Sequence, residues 1–463
     1  MERYDLVVIG AGPGGYVAAI RATQLGMKVA VVEKDRPGGV CLNWGCIPSK
    51  AILTSAELYE AVKEGERHGI KTKGLSCDYA QVIKRSREVA DRLAKGVEFL
   101  FKKNHVTLLA GAGRLEGTQR VIIEANGKGA QQVEADRILI ATGSGERTLP
   151  GLDIDGKQVL TSREALIDNE VPEALVIIGG GAVGVEFAYI YSVFGSRVTI
   201  VEMEKQLLPG VDAEVARELE RVFKKKGIEI LTGSKFHSVE KFSGRVEVTL
   251  ENGTDLKRRT ANKVLVAVGR TPLSAGLGLE ALGVELNRGY ITVNEQMRTT
   301  NDAIYAIGDV NGPPLLAHAA SEEGIVSVEF MTGKRDKGVD HLRIPACIYC
   351  QPQIAVIGLS EEQAQAQGYE VKVGKFPFRA LGKAIAAGHE DGFVKLVVDK
   401  QYGEILGCHI IGYGATELIA EAGLARTLEA TTAELSGTVH AHPTLAEAIM
   451  EAALDAEGRA INF

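Results

Sequence analysis

Two stretches of the chain share one pattern of apolar and polar positions. Residues 4–10, Tyr-Asp-Leu-Val-Val-Ile-Gly, form the kind of apolar run needed by a parallel strand buried on both faces. The run enters Gly10-Ala-Gly12-Pro-Gly14-Gly15, continues at helical spacing through Ala22, and is followed by an apolar strand from Lys28 to Val32 ending at Glu33. The pattern restarts at Leu175-Val-Ile-Ile-Gly179. It passes through Gly179-Gly-Gly181-Ala-Val-Gly184 and a helix reaching Phe194, then a strand from Arg197 to Val201 ending at Glu202. From first glycine to acid the spacing is 33 − 10 = 23 in one unit and 202 − 179 = 23 in the other. A single glycine-rich turn is weak evidence, but two complete strand–turn–helix–strand units with equal spacing predict two dinucleotide-binding units in an α/β protein.

Each residue of the pattern has a physical reason. Gly10 and Gly179 make the tight turn, Gly12 and Gly181 let backbone approach a pyrophosphate, and Gly15 and Gly184 allow close helix–strand packing. The phosphates then rest on the positive end of a helix. Glu33 and Glu202 stand where an acid accepts hydrogen bonds from ribose hydroxyls. At Glu202 a carboxylate suits a free 2′-hydroxyl and repels a 2′-phosphate; Glu204 adds to the repulsion and Lys205 only partly offsets it. The second unit is therefore expected to take NAD rather than NADP.

Composition narrows the class. A length of 463 residues suggests about three domains. Glycine, 54 of 463 residues or about 12% against a usual ~7%, suits many tight strand-to-helix turns. The net charge of −7 comes without a basic tract, which argues against nucleic acid and anionic membrane as partners. The most apolar window, Ala174 to Gly195, carries one charge, Glu186, and its glycine triplet marks a buried strand–turn–helix rather than a membrane span. No export signal is visible near Tyr4, so a soluble cytoplasmic protein is expected.

Six cysteines are too few and scattered for a disulfide scaffold. Two lie in Gly38-Gly-Val-Cys41-Leu-Asn-Trp-Gly-Cys46-Ile-Pro-Ser-Lys50. In a regular helix their Cα atoms would be roughly 8–9 Å apart, beyond the roughly 4.4–6.8 Å a disulfide spans. Bonding would require a distorted segment, which Gly45 and Pro48 permit, and would give a strained, reducible bond. Spacing alone is equally compatible with two buried core cysteines.

That cysteine segment resembles the redox-active stretch of the flavin-dependent disulfide reductases, the dihydrolipoamide dehydrogenase group above all. The likeness extends along the chain through Ala141-Thr142-Gly143, Gly269-Arg-Thr-Pro272, Ala306-Ile-Gly308-Asp309 and His440-Ala-His442-Pro-Thr-Leu-Ala-Glu447. It implies two Rossmann-like dinucleotide-binding domains and a C-terminal α+β dimerisation domain, an α/β architecture. The implied boundaries are 1–148 for FAD, 149–270 for NAD, 271–345 for a central domain completing the FAD site, and 346–463 for the interface. Around FAD it places Gly113, Thr142, Gly143, Ser144, Asp309 and the backbone at Ala317, and beside NAD it places Gly269. It makes Cys46 the thiol facing the flavin, Cys41 the thiol that meets substrate, and Lys50 a neighbour of the flavin paired with Glu186. His442 becomes the base, reaching the site from a partner subunit, with Glu447 orienting it. Read by itself, Thr444-Leu-Ala-Glu447 is also a helix capping box. His440 is expected to support rather than catalyse.

The implied activity is oxidation of protein-bound dihydrolipoyl groups by a homodimer using FAD and NAD, with a lipoyl-bearing acyltransferase or similar lipoyl protein as partner. A glutathione reductase would favour NADPH, which Glu202 opposes. A mercuric or large thioredoxin reductase would carry C-terminal cysteines, absent from Glu457-Gly-Arg-Ala-Ile-Asn-Phe463. A non-catalytic FAD/NAD-binding subunit would have no need of Cys41, Cys46, Lys50 and the His442–Glu447 pair. In Tyr349-Cys350-Gln351-Pro352-Gln353 the chain keeps the family's tyrosine and proline but departs where the family commonly has threonine, histidine or aspartate, and glutamate, at Cys350, Gln351 and Gln353. Cys347 and Cys350 form a CxxC there with no second pair to complete a zinc site. Ile344 to Ile357 reads as one strand, which would turn those cysteines to opposite faces, so no metal and no role are expected for them.

Overall fold

The computed structural model describes residues 1–125 and 128–463. Its first sheet sets four strands in the order Thr107–Ala110, Val29–Glu33, Glu2–Ile9, Lys128–Ile140, all parallel, with Ile304–Ala306 parallel beside the last. The second sheet repeats the order: Glu229–Leu231, Arg197–Val201, Ala174–Ile178, Lys263–Val266, Val159–Thr161, all parallel. Helices on both faces explain why Leu6, Val7, Val8 and Ile177 are fully buried, and why these strands read as unbroken apolar runs. In each unit the strand edge continues into antiparallel strands before returning to the sheet: Ala112–Leu115 and Arg120–Ala125 in the first, Lys235–Phe242 to Asp255–Ala261 in the second.

The repeated motif lies within two residues of its expected bounds, with helices Pro13–Gln24 and Ala182–Val193. Among the described residues, no helix is long and apolar enough to cross a membrane.

The C-terminal part is a five-stranded antiparallel sheet ordered Ala346–Ile348, Gln353–Gly358, Ile405–Gly412, Phe393–Asp399, Val371–Pro377. Helices Ala415–Thr427 and Glu447–Ala456 cover it. Gly374 lets the second helix press onto the sheet, since a Cβ there would lie 1.9 Å from the Ala452 carbonyl oxygen. The expected single strand over 344–357 is instead two strands joined by a turn at 349–352. Pro352 cannot donate to a ladder, and the buried Cys350 thiol closes the turn onto the Pro352 carbonyl at 3.3 Å. The fold is thus α/β, two dinucleotide-binding sheets plus an α+β C-terminal unit.

Candidate active site

The two glycine turns are near copies in three dimensions. Gly10 and Gly179 have φ of +107° and +108°, which an L side chain rarely adopts. A Cβ on either would stand 2.3 Å or 2.2 Å from the carbonyl oxygen of Ala141 or Ala267, the residue just past the fourth strand. Ala141 begins the Ala141-Thr142-Gly143 segment, and Ala267 lies two residues before Gly269, so both segments serve the same local purpose. A Cβ on Gly15 or Gly184 would collide with the first glycine's own carbonyl, at 2.0 Å and 1.9 Å. Around Gly12 and Gly181 there is open space. Gly14 differs: its Cβ would meet the Ala320 carbonyl at 2.8 Å, so here glycine permits contact with the helix Ala317–Met331.

The acids match as well. Glu33 accepts from the N–H groups of Ala11 and Asp35, both at 2.8 Å. Glu202 accepts from Gly180 at 2.6 Å and Glu204 at 2.9 Å. Each carboxylate ties its strand end to the turn.

Cys41 lies in the first turn of a short helix, Gly39–Trp44, and Cys46 begins the helix Cys46–Lys63. Gly45 breaks the two, at φ −152° and ψ −111°, and a Cβ there would press to 3.2 Å on the Val40 carbonyl. This break is the distortion that a bond between the two cysteines would need. Both cysteines are free, half-buried thiols. Their side chains hydrogen bond, which pushes the Cys41 thiol far up and lowers Cys46 to about 7, with the Lys50 ammonium opposing the burial of Cys46. Of the two, Cys46 is thus the more acidic thiol, and the pair shares its titration. The break is held from outside. The buried Asn43 amide donates to the carbonyls of Pro37 and Gly39, and Arg87 donates to the Asn43 carbonyl at 2.6 Å.

Lys50 stands one helical turn beyond Cys46, on the same face. Its ammonium meets both Glu186 oxygens at 2.9 Å, and Glu186 is 8% exposed. The charge in the apolar window is thus a half-buried ion pair joining the cysteine helix to the second unit.

Asp309, in the turn Gly308–Val310, accepts the Ser144 hydroxyl; Arg270 donates to the same hydroxyl at 2.6 Å and to the Ser144 carbonyl at 2.7 Å. Thr142 donates to the Leu273 carbonyl at 2.7 Å, and Gly143 and Gly269 have positive φ. Gly113 packs its α-carbon over Ile9 and Val32, where a side chain would meet both at 3.1 Å. Ala317 opens the helix Ala317–Met331 with no side-chain cap. Within that helix the buried Glu323 accepts from the Gly308 N–H at 2.7 Å and pairs with His341 at 2.9 Å.

Near the C-terminus, His442 is 77% exposed and its Nδ1 meets Glu447 Oε1 at 2.9 Å. Oε2 accepts from the Thr444 N–H at 2.8 Å. Burial would raise the Glu447 carboxyl, but the Thr444 N–H and then the imidazole hold it below the ordinary range. Half of the capping box is therefore real: glutamate reaches back to Thr444, but the Thr444 hydroxyl donates to the Ala441 carbonyl instead of capping the helix. His440 is held by the Thr438 carbonyl and Glu421.

A pair of thiols at a helix break, two dinucleotide turns and an oriented histidine share one chain, and comparison with known proteins decides what that means. Residues 4–324 match the family model described as pyridine nucleotide-disulphide oxidoreductase. The chain belongs to this family. Residues 344–453 match the dimerisation domain of the pyridine nucleotide-disulphide oxidoreductases. A relative from Bacillus subtilis named dihydrolipoyl dehydrogenase is 46% identical, covering 99% of each chain. One of the same name from Chlorobaculum tepidum is 48% identical over 98% of this chain and 97% of its own. The crystal structure of LpdA from Mycobacterium tuberculosis superposes with a TM-score of 0.91 at 29% identity, covering 98% of this chain and 99% of that one.

Sequence reasoning did not find Asn43, Arg87, Glu323, His341, Arg270 or Tyr349. Asn43 and Arg270 stood inside quoted motifs without a stated purpose. Tyr349 also stood inside a quoted segment, and Arg87, Glu323 and His341 find their partners outside any local pattern.

Proposed function

We propose that the chain is a dihydrolipoyl dehydrogenase, with the first glycine turn for FAD and the second for NAD. The proposed extents are residues 1–148 with 271–345 for the first, 149–270 for the second, and 346–463 for the homodimer interface supported by the dimerisation-domain match. The observation that carries this reading is the thiol pair, Cys41 and Cys46 on either side of a helix break, with the half-buried Lys50–Glu186 ion pair one turn further along.

The residues suit the cofactors. Open space at Gly12 and Gly181 leaves room for pyrophosphates at helix N-termini, and Glu33 and Glu202 retain lone pairs for ribose hydroxyls. The Glu202 carboxylate disfavours a 2′-phosphate. Asp309, fixed by Ser144, and the helix start at Ala317 would bound the FAD site. FAD, when bound, supplies the passage of an electron pair from a dithiol to NAD⁺.

The chain's own steps balance as thiol–disulfide exchange. His442 of a second copy takes a proton from one thiol of a dihydrolipoyl group at Nε2, while Glu447 holds Nδ1–H. That substrate thiolate attacks Cys41 of the oxidised pair; the S–S bond breaks and Cys46 leaves as thiolate, stabilised by Lys50. The second substrate thiol gives its proton to water, its sulfur closes the lipoyl disulfide and expels Cys41, and Cys41 recovers the proton held on His442. Substrate loses two electrons and the cysteine pair gains them. A lipoyl-bearing acyltransferase or similar lipoyl protein is the proposed partner.

The test is an anaerobic visible spectrum. Adding dihydrolipoamide should give a long-wavelength charge-transfer band, and NAD⁺ should then remove it and yield NADH. Reduction by NADH but not by dihydrolipoamide would overturn the lipoyl assignment and keep the family.

A further inference from the structure

The turn where the sequence departs from its family is bolted to the redox centre. It projects from the C-terminal sheet, yet its groups end in the other units. The Tyr349 N–H donates to Glu186 Oε1 at 3.0 Å, and the Lys50 ammonium lies 4.4 Å from the centre of the Tyr349 ring. Two residues on, the Gln351 amide donates at 3.0 Å to Glu57, which rides on the same helix as Cys46 and Lys50. Behind it, Gln353 accepts the Thr416 hydroxyl at 2.9 Å, so the turn is fixed on both sides.

A lysine on a four-carbon stem has many rotamers and a strong preference for water. Its pull on a neighbouring thiolate weakens with distance and with hydration. Glu186 alone would leave one flank of the ammonium open. The tyrosine ring closes that flank, attracts the cation through its face, and displaces water. We propose that Tyr349 is a positioning residue for the redox pair: anchored by Gln351 on Glu57, its ring and backbone hold the Lys50 ammonium on Glu186, so that the C-terminal unit helps keep Cys46 a thiolate.

The charged and titratable groups facing Cys46 are Cys41, Lys50 and Glu186, with Tyr349 above the lysine; Cys347 and Glu417 face the Tyr349 hydroxyl. The lowering of Cys46 by Cys41 first and Lys50 next agrees with this arrangement. The proposal rests on Cys46 being the thiolate of the function proposed above.

The test measures the acidity of one thiol instead of turnover. In the full-length, FAD-loaded Cys41→Ser protein, the rate of iodoacetamide labelling at Cys46 is followed against pH by mass spectrometry. Tyr349→Leu should move the midpoint up by roughly half a pH unit or more, and Tyr349→Phe, which keeps the ring, by less than about 0.2. Gln351→Leu, which releases the anchor but keeps the ring, should give an intermediate rise, and it carries the test alone if Tyr349→Leu fails to fold. An unmoved midpoint in Tyr349→Leu overturns the proposal, as does an equal rise in Tyr349→Phe. With Tyr349→Leu unfolded, an unmoved Gln351→Leu overturns it too. In the reduced protein that keeps Cys41, a Cys46 midpoint near the ordinary thiol value of about 8.5 would sink the thiolate assignment itself.

Discussion

Replacing Gly181 with alanine should separate nucleotide binding from folding. Gly181 has an unstrained backbone, φ −75° and ψ −175°, and a Cβ there would meet nothing within 4 Å. Alanine also narrows the unfolded ensemble, so stability should hold or rise by about 0.4–1 kcal/mol. The same methyl group would enter the space proposed for the pyrophosphate at the start of the helix Ala182–Val193. NADH affinity should fall tenfold or more, about 1.4 kcal/mol. Gly184→Ala should do the reverse damage. Its Cβ would sit 1.9 Å from the Gly179 carbonyl oxygen, a backbone atom that can yield only by moving the turn off the helix. Forced repacking of that kind costs about 1–3 kcal/mol. Urea denaturation read by fluorescence gives the stability term, and NADH titration of the oxidised protein gives the binding term. Wild-type NADH affinity in Gly181→Ala would refute the assignment of that space to a nucleotide, and a lowered urea midpoint would refute the reading of the space as open.

Glu202→Ala should raise the ratio of NADPH to NADH use, read as kcat/KM for each, by at least about tenfold through loss of repulsion. Because both oxygens hold backbone N–H groups, it should also cost about 1–3 kcal/mol of stability; an unchanged ratio would remove Glu202 as the selector. His341 gives a pH signature. Its hydrogen bond to Glu323 raises the imidazole above its ordinary value. The pairing therefore stabilises the fold fully below about pH 6.5, the ordinary imidazole value, and the gain is lost as pH climbs through the raised one. The effect should be a fraction of 1 kcal/mol, since the side chain is 41% exposed. His341→Ala should lower the urea midpoint more at pH 6 than at pH 9, and an equal loss at both would show that the ion pair contributes nothing.

What the sequence made legible was local and periodic. Both dinucleotide units follow from apolar runs, glycine order and the distance to an acid, all within about thirty residues. The cysteine distortion was legible for a similar reason, because five-residue spacing and helix geometry conflict, and Gly45 is where the chain resolves the conflict. The turn at 349–352 was not. Cys350 and Tyr349 look like strand residues, and what turns the chain is a thiol bonding to the Pro352 carbonyl together with partners such as Glu57, 294 positions away. Nor does any local pattern predict that Arg87, on the long helix Tyr79–Lys103, grips the carbonyl of Asn43. Pairings of that kind are set by tertiary packing, so they appear only with the fold.

The two sequence readings of Glu447, helix cap and histidine partner, turn out to use different oxygens of one carboxylate, and that makes Glu447→Gln the sharpest probe of the histidine. The Thr444 N–H is a fixed backbone donor 2.8 Å from Oε2 and needs an acceptor. In the glutamine variant the amide oxygen must turn to it, leaving the NH₂ to face His442 Nδ1. Nδ1 then becomes an acceptor and the ring proton moves to Nε2, the nitrogen meant to receive the thiol proton. Both hydrogen bonds survive, so the urea midpoint should barely change. Reduction by dihydrolipoamide should nevertheless fall about 10²–10⁴-fold, the range for a lost general base, close to the loss in His442→Gln. Reduction of the flavin by NADH should stay near wild type in both variants. Stopped-flow measurement of the two half-reactions distinguishes them. A Glu447→Gln protein that oxidises dihydrolipoamide at nearly the wild-type rate would show that the carboxylate only caps its helix.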